Sequence, residues 1–360
     1  MTRVNLQASA PRLAVVALIV GGVVAAFVYA AGWLTPAQLT PKRMIDAFER
    51  ANGQHPGFRR NHAKGLGFSG YFESNGQGRA LSKAAVFQPG RVPVIGRFAL
   101  PGGMPFAADT AASVRSMALR FTLPDGEEWR TGMNDIPVFP TNTPQAFYEQ
   151  LIAGTPNPAT GKPDPALMAA FLAKTPSSAR AMKLLGKRLK TAGFQQSTFN
   201  SLNAFRFQNA AGEVTTVRWS MVPVSGERAS VAAPTTEPPA APGANYLFDD
   251  LAAAVQRTPL RWHLIVVIAQ PGDRADDATV PFPPDRKQLE VGTLTIDHVE
   301  SEDTSPARDI NFDPLVLPDG MTASDDPLLS ARSAAYSESF TRREGEPKIH
   351  SAVPATEVTK

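Results

Sequence analysis

Two side chains in this sequence have neighbours that prepare them for chemistry. His62 sits in Arg59-Arg60-Asn61-His62-Ala63-Lys64-Gly65, one imidazole among several cations. Such a cluster suits an anion or a propionate-bearing cofactor, and it equally describes a solvated basic loop. Tyr336 lies in DDPLLSARSAAYSESFTRRE, four residues after Arg332, so on a helix the two share a face. A guanidinium held against a phenol favours the phenolate, a hard anionic donor suited to ferric iron. The plainer reading is a tyrosine on an amphipathic helix with an arginine beside it by chance.

Other chemistries find no carrier. The five histidines are His55, His62, His263, His298 and His350; no pair has zinc-site spacing, and there is no HExxH, G-x-S-x-G or P-loop motif. The chain holds no cysteine, which excludes a disulfide framework, a thiolate haem ligand, an iron–sulfur cluster and a cysteine nucleophile. A cysteine-free chain is stable in either redox compartment. The net charge is +3, without a long basic run, so nucleic acid is not an expected partner.

The elements that must position these residues read as follows. The stretch 40–51 is a short helix, with Pro41 in its first turn and Gly53 just past its end. Strand-like segments follow at 67–72, 84–87, 92–100 and 117–121, separated by Pro and Gly turns. Residues 144–153 are helical, and 163–191 hold two helices split at Pro176. Strand signals return at 204–208, 215–223, 262–268 and 292–299, and a last helix runs from about 326 to Tyr336 or beyond. Residues 225–243, rich in Ala, Pro, Ser and Thr, read as a surface loop or insertion. The pattern is α+β, and 360 residues with 43% hydrophobic content suffice for a sizeable core.

Residues 13–34 carry no charge over 22 positions, and at about 1.5 Å per residue such a helix crosses a hydrocarbon layer of roughly 30 Å. Arg3 and Arg12 precede it, and Tyr29 and Trp33 sit near its far end, where interfacial aromatics are common. An uncleaved anchor over 1–34 is the preferred reading. A cleaved signal peptide ending at Val28-Tyr29-Ala30 is the alternative. Lys42, Arg43 and Arg50 follow the span, so the basic residues do not favour an inside N-terminus; the large domain, 35–360, is still placed outside, in the periplasm, because long domains translocate largely regardless of charge.

The segment RRNHAKGLGFSGYFE (59–73) resembles the distal block of haem catalases, R-x-x-H-A-K-G followed by G-Y-F-E. VIGRF (94–98), Ala108-Asp109-Thr110, Arg115 and Phe121 follow the order and nearly the spacing of that family, and NDIPVF matches its N-x-x-P-[IV]-F segment. INFDPLVLPDGMTASDDPLLSARSAAY (310–336) resembles the proximal segment, ending in R-x-x-x-Y. Two blocks some 250 residues apart, in the right order, displace the plainer readings of His62 and Tyr336. The finer resemblance is to the catalase-related peroxidases, a short form lacking the C-terminal helical portion, through HPGFRRNHAKG, RSMALRFTLPDG, TGKPDP, NAFRF and VRW.

The resemblance implies an antiparallel β-barrel of the haem catalase type with surrounding helices, following the N-terminal transmembrane helix, and one haem b per chain. It implies His62 as the distal acid/base, Asn134 as the amide that orients peroxide, Tyr336 as the iron ligand and Arg332 as the partner that keeps the phenol deprotonated. It matches Arg59, Arg97 and Arg343 to positions that bind haem propionates, which a planar guanidinium meets bidentately. Phe147 matches an aromatic packed on the porphyrin, and Phe139 a channel residue for which core packing serves as well. Three positions depart from the family. Ala99 stands where a serine usually bonds the distal histidine, Met133 replaces a small residue, and Pro140 replaces a channel aromatic. These changes favour a peroxidase using an organic donor over a true catalase. A haem sensor or carrier without turnover, a hydroperoxide rearrangement and a homo-oligomer are also compatible with the scaffold.

Overall fold

The computed structural model describes residues 6–30, 38–110, 114–188, 190–224 and 243–354. Among these, ten strands form one antiparallel sheet: β1 (Gly65–Ser74), β2 (Gly90–Ala99), β3 (Ser116–Thr122), β4 (Glu128–Asn134), β5 (Phe199–Asn200), β6 (Phe205–Gln208), β7 (Val214–Pro223), β8 (Leu260–Ile268), β9 (Gln288–Glu300) and β10 (Met321–Ala323). The order β7-β5-β4-β3-β2-β1-β9-β8 closes on itself because β8 also pairs with β7, giving an eight-stranded barrel; β6 and β10 extend outward from β7. Closure removes the free edges that an open sheet would expose.

Strand alternation sorts the barrel wall into two faces. Inward-facing side chains form one core that includes Phe68, Phe72, Phe98, Met117, Leu119, Phe121, Trp129, Trp219 and Trp262. Phe121 and Trp129 stack at 4.6 Å, and Trp129 meets Trp219 edge-on at 5.1 Å. Each such side chain contributes on the order of 1.5–3 kcal/mol by leaving water. The opposite face of β2, β3 and β4 carries two rows of directly paired residues, Arg97–Ala118–Gly132 and Ala99–Ser116–Asn134.

Helices cover that outer face. Thr40 caps α2 (Pro41–Asn52), Thr143 caps α3 (Pro144–Ala153) and Asp326 caps α7 (Pro327–Glu344), each with proline in the first turn, where the missing N–H costs nothing. α2 packs on α3 and α7. The remaining helices are α4 (Pro165–Lys174), α5 (Pro176–Gly186) and α6 (Tyr246–Arg257). α1 (Leu6–Ala30) contains an 18-residue apolar window, Leu13–Ala30, with mean hydropathy 2.6 and no burial, long and apolar enough to cross a membrane or to serve as a signal sequence. Trp33 and residues 225–242 of the expected loop lie outside the described residues.

Most expected elements are present within a few residues. The expected strand at 84–87 is instead a 3₁₀ turn, Ala85–Phe87, which drives Phe87 into the barrel against Phe207 at 5.5 Å. β4 and α6 were not legible. EWRTGMN hides a half-buried strand because Gly132 and Asn134 face a cavity rather than solvent or core. The basic loop around His62 is not solvated. Arg60 pairs with Glu49 and Glu346, and Lys64 pairs with Asp109 at 2.6 Å, both members buried. Asp109→Ala is expected to destabilise the fold by about 3–5 kcal/mol, since it strands a buried ammonium; the urea midpoint measures it.

Candidate functional site

The outer face of β2–β4, α2, α3 and α7 enclose a cavity of about 1280 Å³, part of it open to solvent. Among the described residues, every site residue expected from sequence lines it: His62, Asn134, Arg59, Arg97, Phe147, Arg332, Arg343 and Tyr336. Met44, Ile45, Phe48, Phe312, Leu328 and Ala335 supply much of its apolar wall. Phe147 packs on Phe48 at 5.8 Å and on Phe139 at 5.4 Å. Phe139 lines the cavity too. Met133 borders it while its side chain belongs to the buried core.

His62 projects from the loop before β1 with φ of 56°, a conformation a non-glycine residue rarely adopts. Asn61 Oδ1 holds it there, accepting from His62 N at 3.0 Å and from Gly102 N at 2.8 Å. The imidazole Nδ1 lies 3.2 Å from Ser116 Oγ, and Ser116 Oγ donates in turn to Asn134 Oδ1. Burial, then the guanidinium charges of Arg97, Arg332 and Arg59, push the His62 pKa down from 6.5 to about 3, so the ring is neutral at neutral pH.

Tyr336 and Arg332 stand one turn apart on α7, as the i, i+4 spacing requires. Both approach Gly132: a methyl group there would lie 3.4 Å from the phenol oxygen and 3.6 Å from Arg332 Nη2. Arg332 Nη1 donates to Asn203 Oδ1, and Asn203 Nδ2 donates at 2.7 Å to Asp326, the residue that caps α7. The helix start thus fixes the arginine one turn later.

The five arginines of the cavity are unequal, Arg60 being paired with Glu49 and Glu346. Arg97 is engaged through all three nitrogens, by Glu302 at 2.7 and 3.0 Å and by the carbonyl of His62 at 2.9 Å. Arg59 uses Nη2 alone, on the carbonyls of Ala307, Arg308 and Ile310 at 2.8–3.1 Å, with its guanidinium 5.7 Å over Phe312. Arg343 lies 5.3 Å over Phe340. Among the described residues neither Arg59 nor Arg343 meets a carboxylate within 4 Å. Burial and mutual repulsion hold Arg59 well below the usual guanidinium range and bring Arg343 down to about 10. Two under-compensated cations in the wall of an apolar slot, with a phenol and an imidazole in the same slot, fit an amphiphilic dicarboxylate carrying a Lewis-acidic metal. Haem is such a group: Tyr336 would hold its iron, and Arg59 and Arg343 its carboxylates.

Sequence reasoning missed Ser116, Asn203 and Glu302. Asn203 opens NAFRF and Ser116 sits in RSMALRF, both quoted for their resemblance, but nothing in either string says that its side chain meets Arg332 or His62. Glu302 carries no local signal.

A sequence model of the family described as Catalase matches residues 28–355. A catalase-related peroxidase of Synechococcus elongatus is 36% identical over 85% of this chain and 89% of its own length. A catalase-related peroxidase of Mycolicibacterium paratuberculosis is 32% identical over 88% of this chain and 98% of its own. In fold, a fungal catalase structure superimposes with a TM-score of 0.68 at 22% identity, covering 81% of this chain and 60% of that one.

The depressed His62 pKa has a sign. An unfolded chain takes up a proton at this ring near pH 6.5 and the folded one only near pH 3, so His62 contributes stability at neutral pH that is lost as pH falls between those values. Urea unfolding at pH 7 and pH 5 is expected to show a larger acid loss for the wild type than for His62→Gln.

Proposed function

The chain belongs to the catalase family, and we propose that it is a haem peroxidase that reduces hydrogen peroxide or organic peroxides with electrons from a small organic donor. One observation carries the assignment of roles: His62 and Tyr336 line a single cavity whose wall holds two guanidiniums without carboxylate partners. Haem, in its b form on this reading, would supply the redox chemistry that peroxide reduction needs.

The protein's own groups do the rest. The neutral His62 ring takes a proton from the incoming peroxide and returns it to the departing oxygen, help worth on the order of 10²–10⁴ in rate. The amide of Asn134 orients the peroxide by hydrogen bonding. Tyr336 Oη would hold the iron, and the Arg332 guanidinium stands beside it against the same glycine, Gly132. Arg59 and Arg343 take the two carboxylates. Arg97 was expected to share that task; its pairing with Glu302 assigns it chiefly to fixing the loop that carries His62, with its remaining N–H groups left for a carboxylate. Phe147, packed on Phe48 and Phe139, would supply an aromatic wall for the porphyrin.

We read residues 35–360 as one catalytic domain and 1–34 as its membrane segment, a single pass of the inner membrane with the domain in the periplasm, or a periplasmic protein if that segment is cleaved. A homo-oligomer is compatible with this arrangement. True catalase activity would use the same groups, and an oxygen electrode separates the two: a peroxidase consumes peroxide in proportion to donor, with little oxygen evolved. Tyr336→Phe is expected to lose or strongly alter the ferric haem absorption spectrum. His62→Ala is expected to keep haem and to react with peroxide about 10²–10⁴ times more slowly in stopped flow; unchanged kinetics would remove His62 from its role.

A further inference from the structure

Ala99, Ser116 and Asn134 are successive partners across β2, β3 and β4, all on the face that lines the cavity. Directly opposed residues place their Cβ atoms about 4.5–5.5 Å apart, so positions 99 and 116 offer a hydroxyl nearly the same reach. Ala99 has none. Ser116 has one, and it stands 3.2 Å from His62 Nδ1 while donating to Asn134 Oδ1.

A hydroxyl has one hydrogen, and an amide oxygen can only accept. With its hydrogen on Asn134 Oδ1, Ser116 Oγ can only accept from His62. The ring proton must then sit on Nδ1, which leaves Nε2 as the nitrogen with a free lone pair. The same bond turns the Asn134 Nδ2 group away from Ser116. Among the described residues that group donates to no protein acceptor, so its hydrogens are free for a ligand. We propose that Ser116 is a positioning residue of this site: one hydroxyl, on the cross-strand neighbour of position 99, favours the Nδ1–H tautomer of His62 and sets the orientation of the Asn134 amide. Base and orienting donor are wired as one unit. The proposal rests on His62 and Asn134 as the pair that handles peroxide, but its first test does not.

That test is the imidazole ¹⁵N spectrum of the full chain, recorded with and without zinc porphyrin, a diamagnetic stand-in for haem. The five histidines are sorted by the signal lost in His62→Gln. The wild type is expected to show His62 protonated at Nδ1 in both forms. Ser116→Ala should shift the ring toward a mixture of tautomers. Ser116→Ala combined with Ala99→Ser should restore it. The second test uses haem-loaded protein and cyanide, whose neutral acid must give up its proton to bind. Ser116→Ala should slow cyanide association about tenfold, the worth of one ordinary hydrogen bond, and the double variant should recover most of it. An unchanged Nδ1 tautomer in Ser116→Ala overturns the proposal, and so does a double variant that recovers neither the tautomer nor the rate. Failure to take up either porphyrin, with the tautomer shifts as expected, counts against the haem reading alone.

Discussion

Five guanidiniums line one apolar cavity; Glu49 and Glu346 answer Arg60 and Glu302 answers Arg97, while among the described residues Arg59, Arg332 and Arg343 meet no carboxylate within 4 Å. A cation taken out of water without a counter-charge is costly. The depressed pKa values of Arg59 and Arg343 record that cost, burial first and repulsion from neighbouring arginines next. The same field, together with burial, keeps His62 neutral and therefore able to act as a base. A dicarboxylate cofactor entering the slot would offset that penalty, and Met44, Ile45, Phe48 and Phe312 would offer its apolar body a wall. On the proposed reading, cofactor affinity and the electrostatic state of the His62 imidazole follow from one charge imbalance.

Precision comes from the rigid elements behind these groups. The closed barrel fixes β2, β3 and β4 against one another, and its aromatic interior leaves little room for strand movement. Its outer face therefore presents Arg97, Ala118 and Gly132 in one row and Ala99, Ser116 and Asn134 in the next at set spacings. Small residues at 99, 118 and 132 keep that face low. On the other side, α7 carries Arg332, Tyr336 and Arg343 along one face, and its N-cap, Asp326, reaches Arg332 through Asn203. The left-handed backbone at His62 is a local strain that Asn61 and Arg97 hold from both sides.

Local patterns that carry their own physical cause were legible. Pro41 and Gly53 announced α2, and strand-like runs between Pro and Gly turns announced most barrel strands. The segment 84–87 misled because four apolar residues suit a strand and a buried 3₁₀ turn alike. β4 escaped because its outward residues line a cavity, so burial does not follow side-chain polarity. The basic loop misled in charge rather than position, since the carboxylates that bury Arg60 and Lys64, namely Glu49, Glu346 and Asp109, are scattered along the chain.

The sequence by itself determined which residue types meet: an imidazole in a basic loop near one end, a phenol one helical turn from an arginine near the other, and an apolar N-terminal segment long enough to span a bilayer. Helical period and residue chemistry are local, so one dimension suffices to read them. Only the tertiary structure decided which arginines stay unanswered, that Glu302 claims Arg97, and that a serine on β3 reaches His62. Those facts depend on strand register and on contacts between residues far apart in the chain, such as Arg97 and Glu302, 205 positions apart. Charge balance in a cavity is a property of everything that faces it, and no stretch of sequence contains that list.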